Sequence, residues 1–148
     1  MSCNLSYYLC PEAKANGITF APPRALDAGF DLPCLNPITI EPMSRAAVRT
    51  GLHIAIPEGW VGLVRDRSSV ALKGVMTLAG VIDSAYRGEL KIVMYNSGPK
   101  AVTFASGERI AQCLVIPHLV CEVALEVESL DLLGATERGD GGFGSTGA

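Results

Sequence analysis

Charge is scarce in this chain, and none of it is gathered into a basic block. Lys, Arg, Asp and Glu make up 18% of the 148 residues, which is low for the surface of a small monomer. Burial of part of that surface against other copies accounts for the shortage, and an unusually apolar monomer is the other reading. The net charge is −3 and the arginines are scattered singly. That excludes the clustered cationic footprint of a duplex binder and suits discrete phosphate contacts. The five cysteines (Cys3, Cys10, Cys34, Cys113, Cys121) are odd in number and form no CxxC, against both a disulfide framework and a zinc site. Cys113 and Cys121 lie in apolar runs and read as packed core thiols. His53 and His118 have no partner at metal-ligand spacing and read as structural. The first residues carry no basic stretch followed by a long apolar one, and no run reaches bilayer-spanning length. The expectation is a soluble, reduced, cytoplasmic protein, nuclear as well if eukaryotic or viral.

What is present is punctuation. Sixteen glycines and nine prolines divide the sequence into short β-branched runs at 38–40, 52–56, 60–64, 90–95, 101–104 and 110–116. Several alternate apolar with polar, the period of a half-buried strand. Many short strands between turns predict a single all-β domain, a barrel or a sandwich. Pro57-Glu58-Gly59, Asn96-Ser97-Gly98-Pro99 and Ser106-Gly107-Glu108 read as turns. The one helical candidate is 68–72, with Ser68 or Ser69 as its cap. From 129 onward the pattern fails, 130–135 reads as a linker, and the tail after it reads as disordered without ligand.

Several segments carry polar groups suited to chemistry. Asp83 and Tyr86 share a turn of small residues, Ala79-Gly80-Val81-Ile82-Asp83-Ser84-Ala85-Tyr86-Arg87-Gly88. A carboxylate there can orient a water and take its proton, or simply bond its own backbone. Arg67-Ser68-Ser69 sets a guanidinium beside two hydroxyls at a helix start. That suits phosphate oxygens, although a solvated arginine and a helix cap explain it equally. Asp31 ends Asp27-Ala28-Gly29-Phe30-Asp31 as a carboxylate at a strand entrance. Gln112 places an amide in an otherwise apolar strand, where it needs partners. The glycine-rich end, Arg138-Gly139-Asp140-Gly141-Gly142-Phe143-Gly144-Ser145-Thr146-Gly147, builds no core but can wrap a ligand.

Taken in order with Gly107-Glu108-Arg109-Ile110-Ala111-Gln112, these segments resemble the five motifs of the trimeric dUTPase family and span residues 27–147. The resemblance implies a jelly-roll-like (β-clip) subunit, with a barrel domain at 1–134 and a flexible arm at 135–148. It implies a homotrimer whose three sites are shared between subunits, the arm of one closing over the site of another. The activity implied is hydrolysis of dUTP to dUMP and pyrophosphate, which supplies dUMP for dTTP synthesis and keeps uracil out of DNA. Asp83 is implied as the base that activates water, and Tyr86 as the ring that excludes a 2′-hydroxyl. The backbone of Gly80, Val81, Ile82 and Asp83 would meet the uracil edge, with Lys91 adding a backbone contact. Arg67, Ser68, Ser69 and Gln112 would hold phosphate, a cross-strand structural role being the equal alternative for Gln112. Asp31 would help hold Mg²⁺ through ordered water. In the arm, Phe143 would stack on the base while Arg138, Gly144, Ser145 and Thr146 close on the phosphates.

The sequence departs from the family pattern in places. Asp66 stands where Pro usually precedes the arginine, and is expected to point away or to pair with a neighbour such as Arg65. Ser69 replaces a Gly, and Ala85 stands where many relatives carry a second acid. Glu108 and Arg109 read as an exposed turn with an ion pair between them. The rival readings are a dCTP deaminase of the same fold, a non-catalytic nucleotide-binding regulatory trimer, and a plain structural jelly roll. No membrane or nucleic-acid partner is expected.

Overall fold

Segments this short, cut by glycine and proline, form strands that depend on their neighbours, and the computed structural model, which describes residues 3–137, shows eleven of them. In chain order they are β1 (Ser6–Leu9), β2 (Phe30–Pro33), β3 (Ile38–Ile40), β4 (Arg45–Arg49), β5 (Leu52–Ala55), β6 (Trp60–Asp66), β7 (Val75–Leu78), β8 (Val81–Ile82), β9 (Lys91–Asn96), β10 (Val102–Phe104) and β11 (Arg109–Pro117). Two short helices interrupt them, α1 (Pro11–Ala15) and α2 (Ser68–Ala71), and a 3₁₀ turn covers Leu130–Leu133. The all-β expectation holds.

All ladders are antiparallel. The largest sheet runs β2-β11-β6-β8, a second runs β4-β9-β7, and β1 pairs with β5 and β10 with β3. The six runs expected as strands become β3, β5, β6, β9, β10 and β11, with ends shifted by a residue or two. Leu32, Leu35, Ile40, Leu52, Leu90, Met94, Phe104 and Ile110 fill the core between the sheets, each at most 1% exposed. Asn96 is buried with them, and its amide is fully used: Nδ2 donates to the carbonyls of Ile40 (2.9 Å) and Lys100 (2.8 Å), and Oδ1 accepts from Gly98 N–H (2.9 Å).

Some expectations need correction. The helix α1 was not anticipated; Pro11 opens it, with Cys10 Sγ accepting from Ala13 N–H. The cap of α2 is Arg67 in extended conformation, with no side-chain capping bond from Ser68 or Ser69. Residues 130–133 form a 3₁₀ turn within the expected linker. Cys113 is buried as expected, and burial pushes its thiol up to about 12, but Cys121 is exposed. After β11 the chain carries no regular secondary structure from 118 to 127, with Leu119, Val123 and Leu125 at 98%, 69% and 83% exposure. Among the described residues no helix is long and apolar enough to cross a membrane.

Candidate active site

The four-stranded sheet determines where the polar motifs stand. Register places Gln112 opposite both Asp31 of β2 and Arg65 of β6, so the first, second and fourth motifs meet at one end of β11. Gly29 lets β2 approach: a Cβ there would collide with the Cys113 carbonyl. A cavity of about 440 Å³ opens at this corner, lined by Arg24, Asp27, Asp31, Arg67, Ser68, Ser69, Arg109 and Gln112 among others. A neighbouring cavity of about 520 Å³ shares Arg24, Asp27, Asp31 and Arg109 with it.

The charges at this corner are closely tied. Asp31 Oδ1 accepts from Arg67 Nε at 2.9 Å and Oδ2 from Arg109 at 3.3 Å, while Arg67 also donates to the Arg109 carbonyl at 3.1 Å. Arg24 grips Asp27 at 2.7 Å, and its guanidinium holds the Asp27 carboxyl below the usual range. Three arginines against two aspartates leave the lining at net +1, suited to an anion that brings further cations with it. Arg109 therefore pairs with Asp31, and Glu108 with Lys73 at 3.2 Å, so the expected Glu108–Arg109 pair is not formed. Asp66 turns from Arg65 and accepts from the backbone and hydroxyl of Thr77 at 2.6 and 2.7 Å, which ties β6 to β7. Gln112 Nε2 donates to the Asp66 carbonyl at 2.9 Å, the structural role. A primary amide nitrogen has a second N–H, which stays available to a ligand oxygen.

The third motif lies at the far edge of the same sheet. Ala79 and Gly80 take left-handed conformations in succession (φ 60° and 98°) where the chain passes from β7 into β8. Gly80 is required twice over, since a Cβ would also press on Val64 at 3.0 Å. The Gly80 carbonyl accepts from Val64 N–H at 2.8 Å, so a base edge must use other backbone groups of 80–83. A turn closed by Tyr86 N–H on the Asp83 carbonyl (3.0 Å) follows, with the Asp83 side chain exposed. The Tyr86 ring stands over Gly88, and its hydroxyl donates to the Glu89 carbonyl at 3.0 Å. A cleft of about 150 Å³ forms between Val81, Ile82, Asp83, Tyr86, Glu89, Leu90 and Lys91.

This cleft and the arginine-lined cavity share no residue. Ile82 sits opposite Gly62 on β6, so continued register sets Asp83 opposite Val61, six residues from Arg67. At about 3.3 Å per residue that is roughly 20 Å along the strand. The structure thus brings together Asp31, Arg67, Ser68, Ser69 and Gln112 in one place. It brings together Gly80, Val81, Ile82, Asp83, Tyr86 and Lys91 in another. Arg138, Phe143, Gly144, Ser145 and Thr146 lie outside the described residues, as does most of the 135–148 arm.

Comparison with known proteins places this geometry. The family model described as dUTPase matches residues 15–147. A deoxyuridine 5'-triphosphate nucleotidohydrolase of Corynebacterium jeikeium is 47% identical over 125 residues, covering 82% of this chain and 80% of the relative. The human mitochondrial protein of the same name is 44% identical over 132 residues, 86% of this chain and 50% of its own. Among solved structures, a dUTPase of Staphylococcus bacteriophage 80alpha with dUpNHpp superposes with a TM-score of 0.84 at 27% identity, covering 99% of this chain and all of that one.

Proposed function

The chain belongs to the dUTPase family and hydrolyses dUTP to dUMP and pyrophosphate; we propose that each active site is built from more than one copy, one lending the nucleoside cleft and another the phosphate cavity. The observation that carries this is the separation of roughly 20 Å between Asp83 and Arg67 along β6. A base must reach the attacking water within hydrogen-bond distance, so the Asp83 of one chain cannot serve the phosphates held by its own Arg67. A second copy supplies the missing half. The run 119–127 supports this reading, because its exposed apolar side chains need cover that one chain does not give. We assign this assembly as a homotrimer with three shared sites, the arrangement the family resemblance implies.

In this site Asp83 takes a proton from the water that attacks the α-phosphorus. The backbone of Gly80, Val81, Ile82 and Asp83, with Lys91, frames the base, and Tyr86 walls the sugar. The cleft that holds them is lined by Val81, Ile82, Asp83, Tyr86, Glu89, Leu90 and Lys91, and the Tyr86 ring is the group assigned to exclude a 2′-hydroxyl. Arg67, Ser68, Ser69 and Gln112 of the other copy hold the phosphates, and the Arg67 charge with the neutral donors beside it stabilises the pentacoordinate centre without reorganisation. Arg138, Phe143, Gly144, Ser145 and Thr146 are assigned to the enclosing arm.

The residues also fit Mg²⁺. Among the described residues of one chain no group of three or more His, Cys, Asp or Glu stands together to hold a metal. Asp31 faces the phosphate cavity as one carboxylate, already bonded to two arginines. One carboxylate acting through water suits an ion held mainly by substrate phosphates. When bound, Mg²⁺ neutralises phosphate charge and stabilises the leaving pyrophosphate.

Subunit complementation tests the shared site. Asp83→Asn and Arg67→Ala are each expected to be nearly inactive as pure trimers. Unfolded together and refolded, they should regain activity, since some sites then draw an intact Asp83 and an intact Arg67 from different copies. A mixture as inactive as its parents would refute the arrangement.

A further inference from the structure

The return from the third motif is held far more tightly than its exposed surface requires. Glu89 follows Gly88 and sits with its side chain only 12% exposed. Its carboxylate accepts from the Gly51 N–H at 2.8 Å and from Arg49 Nε through both oxygens, at 3.0 and 3.2 Å. Arg49 is itself fixed by Glu12 of α1 at 2.9 Å, and Glu12 by Asn36 at 2.8 Å. The next residue is tied as firmly, Leu90 N–H to the Leu52 carbonyl (2.8 Å) and Thr50 Oγ1 to the Leu90 carbonyl (2.7 Å). These bonds anchor the peptide whose carbonyl receives the Tyr86 hydroxyl. Neither Glu89 nor Arg49 carries a functional assignment above.

We propose that Glu89, clamped by Arg49 and the Gly51 amide, is a positioning residue for sugar selection. It fixes its own carbonyl under the Tyr86 hydroxyl, and so sets where the ring stands in the nucleoside cleft. The inference rests on the reading of Tyr86 as the wall against a 2′-hydroxyl. A ring standing on Gly88 has no side chain beneath it to fix its tilt, and its hydroxyl bond to Glu89 is the contact that does so. Arg49 Nε is shared between both Glu89 oxygens while its Nη1 is held by Glu12, so the guanidinium is fixed from two sides, and Gly51 N–H adds a second donor to the carboxylate. The specificity filter is thereby referenced to the β4–β5 corner and not to the turn alone.

The test compares kcat/KM for dUTP and UTP in the full-length enzyme. Glu89→Gln turns an amide N–H₂ toward the Arg49 guanidinium, donor against donor, and should loosen the carbonyl. The dUTP-to-UTP ratio should fall about tenfold. Should that variant misfold, Arg49→Lys, which keeps charge but loses the fork, should move the ratio in the same direction. Glu12→Gln, which weakens only the outer end of the chain, should lower stability without moving the ratio. In a Tyr86→Phe background Glu89→Gln should add little, since the hydroxyl through which it acts is gone. An unchanged ratio in Glu89→Gln and Arg49→Lys, or the same fall in the Tyr86→Phe background, would overturn the proposal. Tyr86→Ala separates the two failures: a fallen ratio there with none in the Glu89 and Arg49 variants leaves the sugar wall standing and removes Glu89 from it. An unchanged ratio in Tyr86→Ala removes both.

Discussion

Replacing Gly88 with alanine should damage substrate selection while leaving the fold intact. Gly88 is not among the residues with left-handed φ, so alanine meets no backbone strain of its own. Its methyl would meet the Tyr86 ring, with Cζ at 2.5 Å, Cε2 at 2.9 Å and the hydroxyl nearer still. Carbon–carbon contacts settle at about 3.5–4 Å, so the ring tip must move by roughly 1 Å or more. That displacement breaks the 3.0 Å bond to the Glu89 carbonyl, worth about 1 kcal/mol net. Misplacement on this scale costs up to about a hundredfold where geometry controls the reaction. The expected result is a dUTP-to-UTP ratio of kcat/KM lower by ten- to a hundredfold, while the urea midpoint falls by no more than about 1 kcal/mol of stability requires. Steady-state pyrophosphate release on both nucleotides gives the ratio, and urea denaturation gives the stability. An unchanged ratio would refute the reasoning, since the ring cannot keep its place beside a methyl at that distance.

Two further predictions concern the frame. Asn96→Asp sets a carboxylate against the carbonyls of Ile40 and Lys100, and should cost about 3–5 kcal/mol from two acceptors stripped of donors and a buried charge; a loss below 1 kcal/mol in urea denaturation would contradict this. Burial raises the Glu108 carboxyl, but the Ala105 N–H and Lys73 lower it further, so its folded value lies below the ordinary 4.5. Ionised Glu108 therefore stabilises above about pH 4.5, and that contribution fades as pH falls through the folded value. Glu108→Gln should be less stable than the parent at pH 7 and should show a shallower acid decline. Parallel stability curves from pH 7 to 3 would contradict it.

The strands legible in the sequence are those whose own pattern makes them strands. β5, β9 and β11 alternate or carry β-branched residues and are bounded by turns. β4 reads Arg-Ala-Ala-Val-Arg and β2 reads Phe-Asp-Leu-Pro, both poor strand formers. Their state is imposed by β9 and β11, 40 or more residues away in sequence. β8 has two residues and no period to read. The helix α1 did carry a signal, Pro followed by Glu-Ala-Lys-Ala. The motif residues were legible through their order along the chain, but their partners were not. Arg109 meets Asp31 across 78 positions and Asp66 meets Thr77 across 11, while Arg49 reaches Glu89 across 40. No local pattern encodes such pairings, which follow from strand register. The same register separates the two halves of the site, which sequence order alone would have left undivided.

The account depends most on Asp83 as the group that takes the proton from water. Asp83→Asn changes one oxygen for an amide nitrogen at an exposed turn position, so folding and nucleotide binding should survive. Single-turnover pyrophosphate release from dUTP with Mg²⁺, run beside equilibrium binding of a non-hydrolysable analogue, separates chemistry from affinity. The account predicts an unchanged dissociation constant and a rate lower by about a hundred- to ten-thousandfold. A variant that binds as the parent does and releases pyrophosphate at near the parent rate would contradict it.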